Sequence, residues 1–396
     1  MIDSDLGLST HVRRTPRPLR VAAFGFRSVP PTEGSAGADK FALELYPRLV
    51  KRGCSVTAYN RLYGKAQPAN TQYNGVSLVY LRTVSKSGFD TLCHSLKATL
   101  HILSHNTGEI VHIHNGGNSI WALPLRLFGK KVFVSQDGVD WRREKWPWYG
   151  RFYLYFSSFV TAYLPNGVIF DNVYAKQFFE RKFKRRFSYI AYGCETAQPS
   201  GDKAILTKLG LKPKEYFLFV GRFIPDKGVH YLLEAFERIE TTRKLVLVGG
   251  SPHASSYEQR IRKTLDPRVV LPGYVYGADT AILMQNAYAY VQPSDVEGLS
   301  PVVLSVMGLG VPLICSNIPE NLFAVADTAL TFEKSNVDDL AEAIRRSLQN
   351  PDDMNALAIQ AKQRALRIFS WNRAVEEHLN VFAQSIQGQR GTAGEA

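Results

Sequence analysis

The stretch QPSDVEGLSPVVLSVMGLG, residues 292–310, decides how the chain is read. It follows an apolar run at 288–291 that is short enough for a buried parallel strand. After a polar turn, Ser300 and Pro301 predict a helix start. Serine suits the N-cap, and proline suits the first helical position, where a missing N–H costs nothing. The orphan N–H groups of that first turn, with the positive end of the helix dipole, form an anion site. Glu297 stands just before them. A phosphate site with one carboxylate beside it suggests a sugar nucleotide. The plainer alternative is an ordinary capped helix in a parallel sheet, with a solvated glutamate.

Upstream, GRFIPDKG (residues 221–228) lies between an apolar run at 216–220 and a helical pattern at 229–238. Arg222 and Lys227, five residues apart in this glycine-bounded loop, suit the two sides of a diphosphate, arginine through forked hydrogen bonds and lysine as a point charge. Further strands are expected at 244–248, 269–271 and 312–315, with helices at 278–286 and after Pro301, and a helical tail over 337–369 and 371–386. The first half repeats the alternation. Strands are expected at 20–26, 55–59, 76–81, 110–114, 132–136 and 168–170, with helices after Gly37 and over 91–105. The loop at 27–37 contains Pro30, Pro31, Gly34 and Gly37 and sits at the carboxyl end of the first strand, where open α/β sheets bind ligands. It has no clean G-x-G-x-x-G, so a nicotinamide site has little support. The fold class is therefore α/β, with two doubly wound domains and a cleft between their sheet edges. The expected divisions are a disordered arm at 1–18, domains at 19–195 and 196–370, and a C-terminal helix and tail at 371–396 that packs back on the first domain.

At 396 residues, two domains are the default. The net charge of +13 is uneven. Residues 1–195 hold 27 basic and 13 acidic side chains, whereas the remainder nets −1. Such asymmetry points to an anionic partner. The four cysteines have no metal or redox spacing, which fits a reducing cytoplasm. The arm at 1–18 lacks the apolar core of a signal peptide. The charge-free run 152–170 is broken by Pro165-Asn166-Gly167 and is expected to be a helix, a turn and a strand, not a membrane span.

Two first-domain features bear on function. His112 and His114 alternate on one strand face without a third ligand nearby, so a metal site is a weak reading. His114 and Asn115 stand at the strand end, on either a ligand edge or a buried face. From Asp137 and Asp140 onward, Trp141, Trp146, Trp148, Tyr149, Phe152, Tyr153 and Tyr155 interleave with Arg142, Arg143, Lys145 and Arg151. That mixture suits the headgroups of an anionic membrane, a single-stranded nucleic acid, or a packed helix with a charged face.

Taken together, these residues resemble the retaining GT-B glycosyltransferases of family 4, the glycosyltransferase group 1 domain, of the bacterial polysaccharide type. Gly221-Arg222 with Asp226-Lys227-Gly228 is similar to that family's G-R-x-x-x-[ED]-K-G segment, and Leu271 to Val275 to its G-x-V stretch. Residues 293–310 are similar to its E-x7-E region, Gly37-Ala38-Asp39 to its G-[AG]-E, and 137–146 to its G-L-D-W-x-R-x-K-W. The resemblance covers roughly residues 20–385. It implies GT-B architecture, two Rossmann-like domains facing a central cleft. It implies that Arg222 and Lys227 hold the donor diphosphate, that Gly298, Leu299 and Ser300 offer N–H groups to the distal phosphate, and that Glu297 orients the sugar. Gly37 would admit the first-domain loop, and Val275 would lie beside the base. Asp137 would be catalytic in a position where many relatives carry histidine, and His114, Asn115 and Asp140 would lie on the acceptor side. Ser305 replaces the second glutamate, which in the family binds ribose hydroxyls.

The expected activity is retaining, metal-independent sugar transfer without a cofactor. The donor would be a nucleotide-diphosphate sugar and the acceptor a glycan or polyprenyl-diphosphate-linked glycan in cell-surface polysaccharide synthesis. An anionic membrane surface is the expected second partner, on the inner face of the cytoplasmic membrane, and nucleic acid is not expected. The rivals are a catalytically impaired partner of another transferase, an epimerase or phosphorylase of the same fold, and a nucleic-acid binder.

Overall fold

The computed structural model describes residues 18–32, 37–64, 70–84, 88–142, 146–194, 203–251 and 255–387. The N-terminal arm, except its last residue, lies outside them, as do Gly34, residues 143–145, most of the connector at 193–201 and the tail after 387.

The first sheet contains β1 (Arg20–Phe24), β2 (Ser55–Leu62), β3 (Gln72–Tyr73), β4 (Val76–Arg82), β5 (Ile110–His114), β6 (Lys131–Gln136), β7 (Gly167–Phe170) and β8 (Ser188–Tyr189). Its order is β3-β4-β2-β1-β5-β6-β7-β8, parallel except at β3. Helices α1 (Gly37–Lys51), α2 (Phe89–His105), α3 (Ala122–Leu127), α4 (Trp148–Tyr163) and α5 (Val173–Phe183) connect these strands. The central strands are buried on both faces: all five residues of β5 are inaccessible, as a parallel sheet covered by helices requires.

The second sheet contains β9 (Tyr216–Arg222), β10 (Lys244–Gly250), β11 (Val269–Gly273), β12 (Ala289–Gln292), β13 (Leu313–Ser316) and β14 (Leu330–Phe332), in the all-parallel order β11-β10-β9-β12-β13-β14. Its helices are α6 (Ala204–Lys208), α7 (Val229–Glu237), α8 (Ser256–Arg262), α9 (Ala278–Asn286), α10 (Pro301–Leu309), α11 (Pro319–Val325), α12 (Val337–Gln349) and α13 (Pro351–Ile368), and a last helix, α14 (Trp371–Gln387), follows. Both sheets are doubly wound, so the molecule has two Rossmann-like domains. Strand order reverses between β1 and β5 in one sheet and between β9 and β12 in the other. Ligands of open α/β sheets bind at such reversals, outside the strands' carboxyl ends.

The chain crosses between domains twice, at one place. The Cys194 N–H donates to the Phe369 carbonyl at 2.7 Å, joining the outgoing and returning strands. Trp371 lies against Gly193, where a Cβ would fall inside the indole ring, so only glycine lets the two segments approach so closely. Beyond it, α14 packs on α1 and β6 of the first domain. Phe41 of α1 meets Tyr192, Trp371 and His378 at ring-centroid distances of 4.7, 5.8 and 5.6 Å.

Candidate functional site

The loops after β9 and β12 flank the strand reversal of the second sheet. After β9, Pro225–Lys227 forms a 3-10 turn closed by Gly228 at φ +63°. A Cβ on Gly228 would come closer than 3.0 Å to the Pro293 carbonyl, so the two loops touch through backbone. They are also tied by the Asp295 N–H, which donates to the Asp226 carbonyl at 3.0 Å. Tyr231 and Ser335 donate to the two oxygens of Asp295 at 3.1 and 2.7 Å. Gly228→Ala is expected to cost about 1–3 kcal/mol from the left-handed backbone and the collision. Gly310→Ala is the control: it is left-handed too, at φ +72° and ψ +42°, but its Cβ would meet only the flexible Lys362 side chain, at 3.2 Å. Urea unfolding of both variants should show the larger loss at Gly228.

This clamp brings Lys227 onto Glu297. The ammonium pairs with Oε1, the lysine side chain 19% exposed and the glutamate 6%. The same oxygen accepts from Gln292 Nε2 at 2.5 Å and Ser294 Oγ at 2.7 Å. Tyr290 fixes Gln292 by donating to its Oε1 at 2.7 Å. Burial, then the Glu297 charge, pushes the Tyr290 phenol far above its ordinary value. The carboxylate is therefore held in one orientation by neutral donors as well as by the cation. Arg222 ends β9, partly buried, on the same rim.

Ser300 caps α10, its Oγ accepting from the Val303 N–H, with Pro301 in the first turn, as the sequence predicts. Leu299 is buried in the core beneath the cap. Gly298 faces the first domain: a Cβ there would lie 3.2 Å from the Asp137 carbonyl and 4.0 Å from Asp171 Oδ2. Behind this contact is a small crevice lined by Phe41, Ser135, Gln136, Asp137, Asp171 and Tyr192. The Tyr192 hydroxyl bonds to both aspartates, and burial, then their charges, raises its pKa well above normal. The first turn of α1 meets α10 directly. Lys40 Nζ donates to Ser305 Oγ across the interface at 2.7 Å, and Ser305 donates to the Pro301 carbonyl at 2.8 Å. Gly37 opens α1, where a Cβ would make an ordinary 3.8 Å contact with Pro301.

The structure thus brings together Arg222, Lys227, Glu297, Gly298, Leu299, Ser300 and Ser305 from one domain, with Gly37 and Asp137 opposite. Val275 is half-buried after β11, its carbonyl accepting from Thr280. His114 does not line the cleft. It is buried, with Nε2 bonded to the Tyr46 hydroxyl at 2.5 Å, and that hydroxyl also meets His112 Nδ1 at 3.1 Å. Asn115 stands at φ +66° and donates to the Gly25 carbonyl at 2.9 Å, a structural bond between strand ends. Asp140 is half-exposed at the start of a 3-10 turn. Among the described residues, no three His, Cys, Asp or Glu side chains group as a metal site.

Sequence reasoning missed Lys40, Asp171, Tyr192 and Glu320. Asp171 had a signal, since it follows a strand end as Asp137 does. Glu320 is bonded to Asn172, the cap of α5, across the interface, and burial is the chief cause raising its pKa.

The arrangement is GT-B, two Rossmann-like domains facing across a cleft. Residues 202–364 match the family described as glycosyl transferases group 1, and residues 95–195 match a domain of unknown function, DUF1972. The O-antigen chain mannosyltransferase B of Escherichia coli is 29% identical over 184 residues, 45% of this chain and 48% of that one. The chain spans about half the length of the first curated relatives it matches. Sucrose-phosphate synthase from Thermosynechococcus elongatus superposes with a TM-score of 0.79 over 94% of this chain and 100% of that one, at 19% identity. Anabaena Alr3699/HepE, in complex with UDP and glucose, superposes with a TM-score of 0.76 over 92% and 100%, at 14% identity. At such identities the likeness is one of fold.

Proposed function

We propose that this chain is a retaining, metal-independent glycosyltransferase of family 4 type. It would move a sugar from a nucleotide-diphosphate donor to a glycan or polyprenyl-diphosphate-linked glycan in cell-surface polysaccharide synthesis. The observation that carries the reading is the Lys227–Glu297 pair at the strand reversal, held beside the capped N-terminus of α10. It places a cation, free-ended N–H groups and an oriented carboxylate within one loop pair. That set matches a diphosphate joined to a polyhydroxylated ring. The group 1 match over this domain and the O-antigen relative support the same reading.

In this reading Arg222 and Lys227 neutralise the diphosphate as its bond to the anomeric carbon breaks, and the N–H groups of Gly298, Leu299 and Ser300 take the distal phosphate. Glu297 accepts hydrogen bonds from sugar hydroxyls. The acceptor oxygen bonds to the anomeric carbon on the face the diphosphate leaves, and Asp137 takes its proton. Charge stabilisation by the two cations supplies most of the protein's contribution, so no divalent ion or cofactor is assigned. Ser305, with Lys40 against it, faces the nucleoside end, and Asp140 is the acceptor-side candidate left accessible. A lipid-linked acceptor puts the chain on an anionic membrane surface, at the inner face of the cytoplasmic membrane.

Thermal stabilisation by a panel of nucleoside diphosphates and sugar nucleotides tests this. One base should raise the melting temperature of the wild type, Lys227→Ala should abolish the shift, and Ser305→Glu should change which base is preferred. The second reading, an impaired partner of another transferase, rests on the serine at 305. It would be favoured by the absence of any shift.

A further inference from the structure

Helix α4 is built inside out. A helix laid on a sheet normally buries its apolar stripe and shows polar residues to water. Here the buried residues are Ser157, Ser158, Thr161 and Ala162. Apart from Arg151, the exposed ones are aromatic, among them Trp148 at 79% accessible, Tyr149 64%, Phe152 70%, Phe156 56%, Phe159 40% and Tyr163 48%. Their spacing places Trp148, Phe152, Phe156, Phe159 and Tyr163 along one side of the helix, over about 24 Å for 16 residues. The inward side is bonded through Ser119 and Gly117, with Tyr153 donating to the Gly117 carbonyl at 2.6 Å. Ser119 Oγ donates to the Ser157 carbonyl at 3.1 Å, and Thr161 Oγ1 donates to Ser119 Oγ at 2.8 Å. The helix is thus fastened to the domain by hydroxyls, and its apolar side is left outward by construction.

The stripe continues and has a charged border. Arg126 donates to the Leu164 carbonyl at 2.6 Å, which holds the end of α3, with Leu127 76% and Phe128 71% exposed, beside the end of α4. Along the other side, Lys182 of α5 stands 4.5 Å over the Tyr155 ring and donates to its hydroxyl at 3.2 Å. Arg185 lies 5.4 Å over Tyr163. Residues 146–187 carry seven basic side chains and two acidic ones, and α4 itself contains no acid.

We infer that the outward face of α4, with the Leu127–Phe128 corner and the Lys182–Arg185 border, is a docking surface for an anionic phospholipid bilayer. It lies in the interfacial plane and does not cross, since among the described residues no helix is long and apolar enough to span. The inference deepens the reading above by assigning the surface that brings the chain to a lipid-linked acceptor. Tryptophan and tyrosine partition to the headgroup level, phenylalanines enter the acyl boundary, and cations at the border meet anionic headgroups. Charge complementarity selects this occupant: an apolar stripe bordered by Lys182 and Arg185, with no acid in α4 itself, matches a negatively charged surface with an apolar interior.

The test uses the full chain and vesicles of phosphatidylcholine, alone or mixed with phosphatidylglycerol. Binding is expected to the mixed vesicles, with a blue shift of tryptophan emission and quenching by lipids brominated along the acyl chain. Phe152→Ser with Phe156→Ser is expected to weaken partition roughly tenfold or more, since two exposed rings lose their apolar burial. Lys182→Glu with Arg185→Glu is expected to weaken it roughly tenfold at low salt. Nucleotide-induced thermal stabilisation is measured in parallel and should be unchanged in both pairs, which separates failure of this surface from failure of the donor reading. Equal binding of the wild type and Phe152→Ser/Phe156→Ser, or no binding to mixed vesicles, would overturn the assignment. So would a concentration-dependent dimer that the same substitutions dissolve, because a second copy would then be the occupant.

Discussion

Lys227→Ala is expected to lower kcat by roughly 10²–10³-fold with whichever nucleotide sugar stabilises the protein, the size seen when one donor to developing transition-state charge is removed. In the proposed transfer the departing diphosphate gains negative charge as its bond to the sugar breaks, and Lys227 is the cation that the loop clamp fixes beside Glu297. Affinity for the nucleoside diphosphate should also fall, by the roughly 1.5–3 kcal/mol of a charged hydrogen bond. Glu297→Gln separates charge from shape. An amide oxygen at that place still accepts from Gln292 and Ser294, so the loop keeps its course, while the lysine loses its counter-charge. This variant is expected to fold and to bind nucleoside diphosphate, yet to transfer sugar poorly. Steady-state kinetics with calorimetric titration of the nucleotide reads both effects. A Lys227→Ala enzyme with unchanged kcat would remove the cation from the reaction.

The second large effect concerns stability. Lowering the pH from 7 to 5 is expected to remove about 2 kcal/mol for each of His114 and His378. Burial holds the His114 pKa down at about 3 and that of His378 at about 4. His112 is lowered too, by burial first and then by its two neighbouring imidazoles. The unfolded chain takes up protons near pH 6.5 while the folded chain stays neutral, so the unfolded state binds more protons throughout the interval. The stabilisation is complete above about pH 6.5, declines as the pH falls, and stops declining only near the folded values. His378 enters this cluster from α14, with Nδ1 donating to the Ala374 carbonyl at 2.7 Å. Urea unfolding at pH 7 and pH 5 measures the loss, and His378→Gln should reduce it by about 2 kcal/mol. Equal losses in the two proteins would sink the account.

What could be read from the chain alone was local. The start of α10 was legible because its cap and its proline are adjacent in sequence, and capping is a first-turn interaction. The alternation of strands and helices was legible because periodicities of 2 and 3.6 do not depend on the partner. Helix α11 and strand β14 escaped, being only seven and three residues long. His114 ends a strand, which left a ligand edge and a buried face both open, and the resemblance implied the acceptor side. Side chains alternate along a strand, however, and His114 shares with His112 the face covered by α1, where Tyr46 takes both rings. The Lys40–Ser305 bond joins residues 265 positions apart, and nothing local to either one announces it. The aromatic segment at 141–155 was legible as a composition. That Trp148, Tyr149 and Phe152 face outward was not, because only the fold shows that the inward side of α4 is taken by Ser157, Ser158 and Thr161.

The paired crossings at Cys194 and Phe369 limit how the cleft can open. Two segments that bond to each other as they pass between domains form a junction that can serve as an axle for any opening of the cleft. Phe323 sits by the axle, its ring 6.4 Å from Phe369 and 6.0 Å from Tyr189. Lys40 against Ser305, and Gly298 against the Asp137 carbonyl, are contacts between facing surfaces that rotation pulls apart. Apolar contacts thus gather at the axle and polar ones between the facing surfaces. A substitution at Gly193, where Trp371 leaves no room for a side chain, would therefore force the outgoing and returning segments apart at the junction itself.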